Sequence, residues 1–526
     1  MTQCRISIKS LNVENLMKTL HPAKVEPWDA GAPAIHGPDL TGASANKPFF
    51  YAIPVTGERP MTCGVEALPD GLRVDARTGF ITGAAKREGD HRVLLRAENR
   101  HGKAEKEFDI AIGRGLALTP PLGWNSWNAW RRWVDDGKVR AAADALVASG
   151  LAARGYTYVN VDSCWQGERG GPYNAIQPNR KFPDMKRLAD YIHGKGLKFG
   201  IYSTPWVEPW GCTAAEAKAD WGGGALTGCS AGEQDPEFPR HHQISGKFIG
   251  KEKYEPNDVA QWVDWGVDFL KYDWAPTDPI ALERMGRPLK AAPRDIVFSV
   301  CTDAKLKWAD AYLKWTEMWR SIPDTYDEWP SVLTNGFYTD DTMGCEEWRP
   351  FVRPGKWNDL DMTALGPQFD TMTSTRANRL TPDEQITHMT LWALYPSPLI
   401  LSCALESIND FELRLFGNEE VLAVNQDRLG KAATRVREER TRRLIGGDRL
   451  RNFRIHARPL ADGSLAVGVF NHADQSDTIE LSAKDLGCSG RFAVRNLWER
   501  RAMGFLEEGL EIEVPAHGAQ MLKIQK

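Results

Sequence analysis

Val267-Asp268-Phe269-Leu270-Lys271-Tyr272-Asp273-Trp274 reads as one buried strand that ends in a carboxylate. Its apolar residues Val267, Phe269, Leu270 and Tyr272 fall on both faces, too densely for a half-exposed edge strand. Such a strand belongs in a parallel sheet. Asp273 is its last residue before the turn-like Ala275-Pro276-Thr277-Asp278, and barrel enzymes hold their chemistry at the C-terminal ends of parallel strands. On the two-residue period Lys271 and Asp273 share a face. Taken alone, structural pairing with Lys271 explains Asp273 as well as catalysis does.

Comparable strand signals occur at 123–127, 158–162, 197–202, 295–300, 317–320, 356–359 and 398–402. Between the early ones, 139–148 and 185–195 carry the apolar spacing of amphipathic helices. This alternation predicts an α/β fold with a closed (β/α)8 TIM barrel over residues 115–430. A dinucleotide-binding sheet would need a GxGxxG turn after its first strand, and Trp127-Asn128-Ala129-Trp130 supplies none. The connection over 203–264 is too long for an ordinary βα loop and predicts a lid or cleft wall.

Both flanks read as β structure. Short strand signals at 49–53, 72–74, 80–82, 92–97 and 105–112, separated by turns such as Pro69-Asp70-Gly71 and Arg77-Thr78-Gly79, predict a small β-sandwich over 46–114. Its Leu68-Pro69-Asp70-Gly71-Leu72 and Ile81-Thr82-Gly83 resemble the immunoglobulin-like modules attached to many bacterial sugar-active enzymes. A packing or positioning role is expected of it. Residues 1–45 read as an arm or linker with one short strand near 5–8. After a charged run at 435–443, signals at 465–470, 492–497, 510–514 and 520–524 predict a C-terminal antiparallel β-sandwich over 431–526.

The formal net charge is −4, from 66 Lys and Arg against 70 Asp and Glu, a balance that favours neither nucleic acid nor an anionic membrane as partner. Arg5, Lys9, Glu14 and Lys18 interrupt the first apolar runs, so a cytoplasmic location is expected, or a periplasmic or secreted one if a leader has been removed. Nine cysteines without a CxxC pair suggest neither a disulfide scaffold nor structural zinc. Cys212 and Cys229 share one loop, where free thiols are expected over a bridge. The adjacent His241 and His242 lack further ligands at a recognisable spacing and read as surface histidines. No metal or cofactor is expected, and homo-oligomerisation is left open. Many of the 20 tryptophans sit where strands give way to loops, which suits stacking against sugar rings.

Polar groups recur where the predicted strands end: Trp124 and Asn125, Asp162 and Ser163, Lys271 and Asp273, Arg320 with Asp324, and Asn358-Asp359 with Asp361. A barrel brings these ends to one cleft. Acids gathered there without a metal pattern suit paired-carboxylate glycoside chemistry, in which one carboxylate attacks and the other acts as acid and then base. The attacking group must be ionised, which Lys271 or Arg320 would favour, and the acid must hold a proton. Which aspartate has which surroundings is open at this level.

Pro121-Leu122-Gly123-Trp124-Asn125-Ser126-Trp127, Val161-Asp162-Ser163-Cys164-Trp165, Leu270-Lys271-Tyr272-Asp273, Trp357-Asn358-Asp359-Leu360-Asp361-Met362 and Val424-Asn425-Gln426-Asp427-Arg428 together resemble glycoside hydrolase family 27, the melibiase or α-galactosidase family. The resemblance implies that Asp273 is the nucleophile and that Asp324, four residues after Arg320, is the acid/base. It implies carbohydrate as the partner, with sugar contacts at Trp124, Asp162, Ser163, Trp165, Lys271, Cys301, Thr302, Arg320 and Asp359. Two positions depart from the family pattern. Ser163 stands where galactose-binding members usually carry a second acid, and Cys301-Thr302-Asp303 stands where a Glu or small residues often face the C2 group. The expected activity is that of a retaining exo-α-galactosidase. The alternatives are a β-L-arabinopyranosidase, an α-N-acetylgalactosaminidase or an isomaltodextranase-like α-glucosidase, and, outside the enzymes, a carbohydrate-binding protein on a catalytically dead barrel.

Overall fold

The computed structural model describes residues 22–221, 226–238, 247–337, 345–440 and 451–526. Eight parallel strands follow one another around the central sheet: β1 (Leu122–Asn125), β2 (Tyr158–Val161), β3 (Lys198–Ser203), β4 (Phe269–Asp273), β5 (Val297–Cys301), β6 (Met318–Arg320), β7 (Trp357–Asp359) and β8 (Leu399–Leu401). β8 pairs with β1, and just past β7 a parallel bridge from Thr363 to Leu401 spans the remaining seam. The fold is a TIM-like α/β barrel, and each predicted strand lies on one of these eight. Helices cover the strands because their apolar stripes need the sheet: in Met185–Gly194, Met185, Leu188, Ala189 and Ile192 are buried, and Asp184 caps the first turn by accepting from Arg187 N–H.

The N-terminal strands form a four-stranded sheet and a three-stranded sheet around Ile81, Val93, Leu95, Phe108 and Ile110. Leu40–Ala43 pairs in parallel with Gly102–Ile112, so sheet structure begins inside the stretch expected to be an arm. The apolar character there is weak, and pairing with a long neighbour compensates for it. The strand expected near residues 5–8 lies outside the described residues. This sandwich docks beneath the barrel, at the N-terminal ends of its strands: Asp295, just before β5, accepts from Ser44 N–H at 2.7 Å, and Phe50 packs on His193. It therefore supports the barrel from the side opposite the strand ends that carry the acids.

The C-terminal unit is a six-stranded antiparallel sheet facing a two-stranded one, with Ile455, Val467, Ile479, Leu481, Ile512 and Leu522 between them. Thr434–Arg440, read above as part of a charged run, is its edge strand. Ion pairs such as Arg435 with Glu438 tie its charges, which is the usual way an exposed edge is kept from further pairing.

The long connection after β3 holds helix Ala214–Trp221 and an antiparallel pair, Ser230–Gln234 with Gly250–Lys253. His241 and His242 lie outside the described residues. Cys212 and Cys229 are both free thiols: Cys229 contacts Ser203 Oγ at 3.2 Å, whereas Cys212 packs with Cys164, Ala217 and Trp221. Among the described residues no helix is long and apolar enough to cross a membrane.

Candidate active site

A cavity of about 400 Å³ opens over the C-terminal strand ends, and Asp273, Asp324, Lys271, Arg320, Asp162 and Ser163 all line it. Asp273 closes β4 as expected, with one carboxylate oxygen buried and without a hydrogen-bond partner among the described residues. Burial pushes its pKa up to about 6, although Lys271 and Arg320 pull the other way. The charge of Lys271 goes first to another acid: its Nζ donates to Asp162 Oδ2 at 2.7 Å. Burial opposes that ammonium, yet Asp162 more than offsets it and holds Lys271 above the usual lysine range. Asp162 is fixed further by Asn125 Nδ2 at 2.8 Å and by Ser163 N–H at 2.8 Å.

Arg320 ends β6 and donates from each of its three nitrogens. Its Nε donates to Thr302 Oγ1 at 3.0 Å, Nη1 to Asp361 Oδ1 at 2.6 Å and Nη2 to Asp324 Oδ1 at 2.6 Å. The guanidinium beside Asp324 holds that carboxyl below the usual range, against the effect of burial. Asp324 nevertheless keeps half its side-chain surface open to the cleft. The surroundings that the sequence left open thus differ in sign: burial dominates at Asp273 and raises it, whereas the guanidinium dominates at Asp324 and lowers it. The reason is geometric: Lys271 is engaged by Asp162, while Arg320 faces Asp324 directly.

Four expected sugar contacts, Trp124, Trp165, Asp359 and Cys301, lie elsewhere. Trp124 is fully buried and its Nε1 donates to Cys403 O at 2.7 Å, a core position; Trp127, two residues past β1, lines the cavity instead. Asn125 lines the barrel interior, so the two-residue period turns Trp124 to the opposite, packed face of the strand, and only past the strand can an indole face the cleft. Trp165 is also fully buried, its Nε1 donating to Tyr202 O at 2.8 Å, so it props the wall from behind. Asp359 lies in a smaller cavity within the barrel beneath the cleft, where burial, reinforced by Asp361, pushes its pKa up to about 7. Cys301 borders that same lower cavity, while Thr302 reaches the cleft.

Sequence reasoning missed Tyr202, Gly211, Tyr326 and Met362 as cleft residues, whereas Trp127 and Trp210 are two of the tryptophans read as suited to stacking on a sugar. Trp210 and Gly211 come from the long connection after β3, whose length was the available signal. Ser163 Oγ accepts from Gly211 N–H at 3.3 Å, so this wall is tied to the position that departs from the family pattern. Among the described residues no cluster of three or more His, Cys, Asp or Glu could hold a metal ion.

The family model described as Alpha galactosidase A matches residues 119–213 and 241–427, and that of the Alpha galactosidase C-terminal beta sandwich domain matches 451–524. The chain is 33% identical over 440 residues to Alpha-galactosidase A of Cellvibrio japonicus, an alignment spanning 78% of this chain and 92% of that one. It is 30% identical over 443 residues to the Alpha-galactosidase of Cyamopsis tetragonoloba, spanning 81% and 92%. Among solved structures, alpha-galactosidase I from Mortierella vinacea superposes with a TM-score of 0.62 at 27% identity, over 78% of this chain and 98% of that one. A β-L-arabinopyranosidase from Geobacillus stearothermophilus gives 0.63 at 26% identity, again over 78% and 98%. With strand-end carboxylates in one sugar-sized cleft and both family patterns in register along the sequence, the chain belongs to glycoside hydrolase family 27, the melibiase family, and is a glycoside hydrolase.

Proposed function

We propose that the chain is a retaining exo-α-galactosidase that removes terminal α-D-galactosyl residues by double displacement. The observation that carries this reading is that Asp273 and Asp324 line one cavity whose two cations are already engaged, Lys271 by Asp162 and Arg320 by Asp361 and Asp324. Asp273 attacks the anomeric carbon with its unpartnered oxygen while Asp324 protonates the departing glycosidic oxygen, giving a galactosyl ester on Asp273. Asp324, now ionised, takes a proton from water, which attacks the same carbon and frees Asp273. Two inversions give net retention. Asp162 is aimed for the sugar's hydroxyls because its own geometry is fixed on three sides.

The proton inventory suits this cycle. Burial raises Asp273 to about 6 while Arg320 holds Asp324 below the usual carboxylate range, so as pH falls Asp273 takes up a proton first and Asp324 stays charged, the form needed by the base of the second step. Sugar binding replaces solvent around half-exposed Asp324 and raises its proton affinity for the first step.

Ser163 favours a second reading. A hydroxyl there gives up one charge-assisted contact to a galactose hydroxyl, and β-L-arabinopyranose is galactose without its hydroxymethyl arm. The family neighbour from Geobacillus stearothermophilus named as a β-L-arabinopyranosidase supports keeping it. Nitrophenyl α-galactoside, β-L-arabinopyranoside, α-N-acetylgalactosaminide and α-glucoside, assayed side by side, separate the readings. The first is expected to turn over fastest, and no turnover of it beside turnover of the second would replace the galactosidase reading.

A further inference from the structure

Beside the cleft lies a second, smaller concavity, and Tyr326 forms part of the wall of both. Arg131 sits in it. Its guanidinium lies over the Trp127 ring, 5.4 Å from the centroid, and Trp127 itself lines the catalytic cavity. Among the described residues no carboxylate forms an ion pair with Arg131. The nearby Arg376 differs: Asp327 accepts from it at 2.5 and 3.0 Å, so its charge is offset.

The backbone makes the placement more telling. Arg131 has φ 50° and ψ −140°, a region that glycine occupies readily and a residue with a Cβ does not. A strained residue of this kind persists when the surrounding structure holds it there, and such residues gather at functional sites. With one face of the guanidinium covered by the indole, the N–H edge remains for a ligand, and that planar fork matches a carboxylate. Tyr326, 48% exposed at the shared wall, offers an aromatic face of the kind that packs on a pyranose ring.

We propose that the groove between Trp127, Arg131 and Tyr326 is a leaving-group subsite that takes a carboxylate-bearing sugar, with Arg131 as its anion-binding fork. The inference rests on the preceding reading in one respect, that Asp324 protonates the leaving group. The charge of Arg131 reaches Asp324 and adds to the forces that keep it ionised. A ligand carboxylate on Arg131 neutralises that charge and lets Asp324 hold its proton more easily, so an acidic leaving group favours its own departure.

Melibionic acid and melibiitol test this, because both present an α-galactosyl group on an open-chain hexose derivative and differ at the far end in carboxylate against alcohol. The native protein is expected to favour melibionate in kcat/KM by about tenfold at low ionic strength, with the ratio shrinking as salt is added. In Arg131→Gln the ratio falls to near one. Saturation-transfer NMR with D-glucuronate and D-glucose reads the subsite without any cleavage: glucuronate is expected to give signal in the native protein and lose it in Arg131→Gln. Glucuronate binding without turnover of any galactoside would leave the subsite standing and refute the galactosidase reading. Absence of glucuronate binding, equal rates on the two conjugates, or a melibionate preference that survives in folded Arg131→Gln would overturn the subsite.

Discussion

Arg320 Nη2 donates to Asp324 Oδ1 at 2.6 Å while Nη1 of the same guanidinium holds Asp361 Oδ1 at 2.6 Å, so one cation is stretched between a cleft acid and a buried one. The consequence is an ordering of protons. Asp324 titrates below the usual carboxylate range and Asp273 at about 6, and the reactive form of the pair carries one proton. That form is present between the two values. kcat/KM is therefore expected to fall as pH rises through about 6, when the pair loses its only proton, and to fall again only in strong acid. A pH profile of kcat/KM checks this, and a basic limb well above pH 8 would contradict it.

Asp361 is the anchor of this arrangement. Besides Arg320 it accepts from Thr325 N–H at 2.7 Å, and so fixes the backbone beside Asp324 as well. Asp361→Asn keeps the volume but weakens both contacts. A fall in kcat of about 10- to 100-fold with a smaller change in KM is expected, because misplacing the acid/base by about 1 Å costs on this order. The basic limb of the pH profile should shift at the same time, which simple loosening of the fold would not produce.

Strands such as Phe269–Asp273 and Val297–Cys301 were legible as short, mostly apolar runs buried on both faces, whereas Trp357–Asp359, with Asn358 and Asp359 in it, was legible only from its place in the alternation of strands and helices. Asp273 and Asp324 were legible through strand-end position and spacing. What escaped depended on direction. Trp124 and Trp127 are both tryptophans at the same strand end, and only the path of the chain after Asn125 decides which indole reaches the cleft. Thr434–Arg440 was hidden because an edge strand with charges on it lacks the apolar alternation that marks the strands beside it. The proton order of the two acids was hidden for a similar reason: spacing places Lys271 beside Asp273, but the bond it makes goes to Asp162, 109 residues away.

Lys271→Met leaves Asp162 buried without its cation, and breaking a buried pair from one side costs about 3–5 kcal/mol. Lower thermal stability is expected, together with weaker sugar binding as Asp162 loses its fixed position. Lys271 also lowers the pKa of Asp273, so any residual activity should persist to higher pH than in the native protein. Thermal unfolding and the pH profile of residual turnover check the two parts separately. A substitution that left both unchanged would show that the contact contributes nothing to the fold or the site.

His388, in helix Pro382–Leu394, is fully buried against Trp392 with ring centroids 4.0 Å apart, and neither ring nitrogen has a hydrogen-bond partner among the described residues. Burial lowers its pKa from 6.5 to about 3, and burial likewise lowers that of His456, in the C-terminal sheet, to about 3. Both are neutral in the folded protein and become charged in the unfolded chain below pH 6.5. Between 6.5 and 3 the unfolded chain therefore binds more protons, and stability is lost as pH falls through that window, by up to about 1.4 kcal/mol per pH unit for each histidine. His388→Phe removes one of these protons and keeps an aromatic ring against Trp392. The variant is expected to show a shallower decline in urea-unfolding free energy between pH 6.5 and 4, and an unchanged slope would mean that His388 is not neutral in the fold.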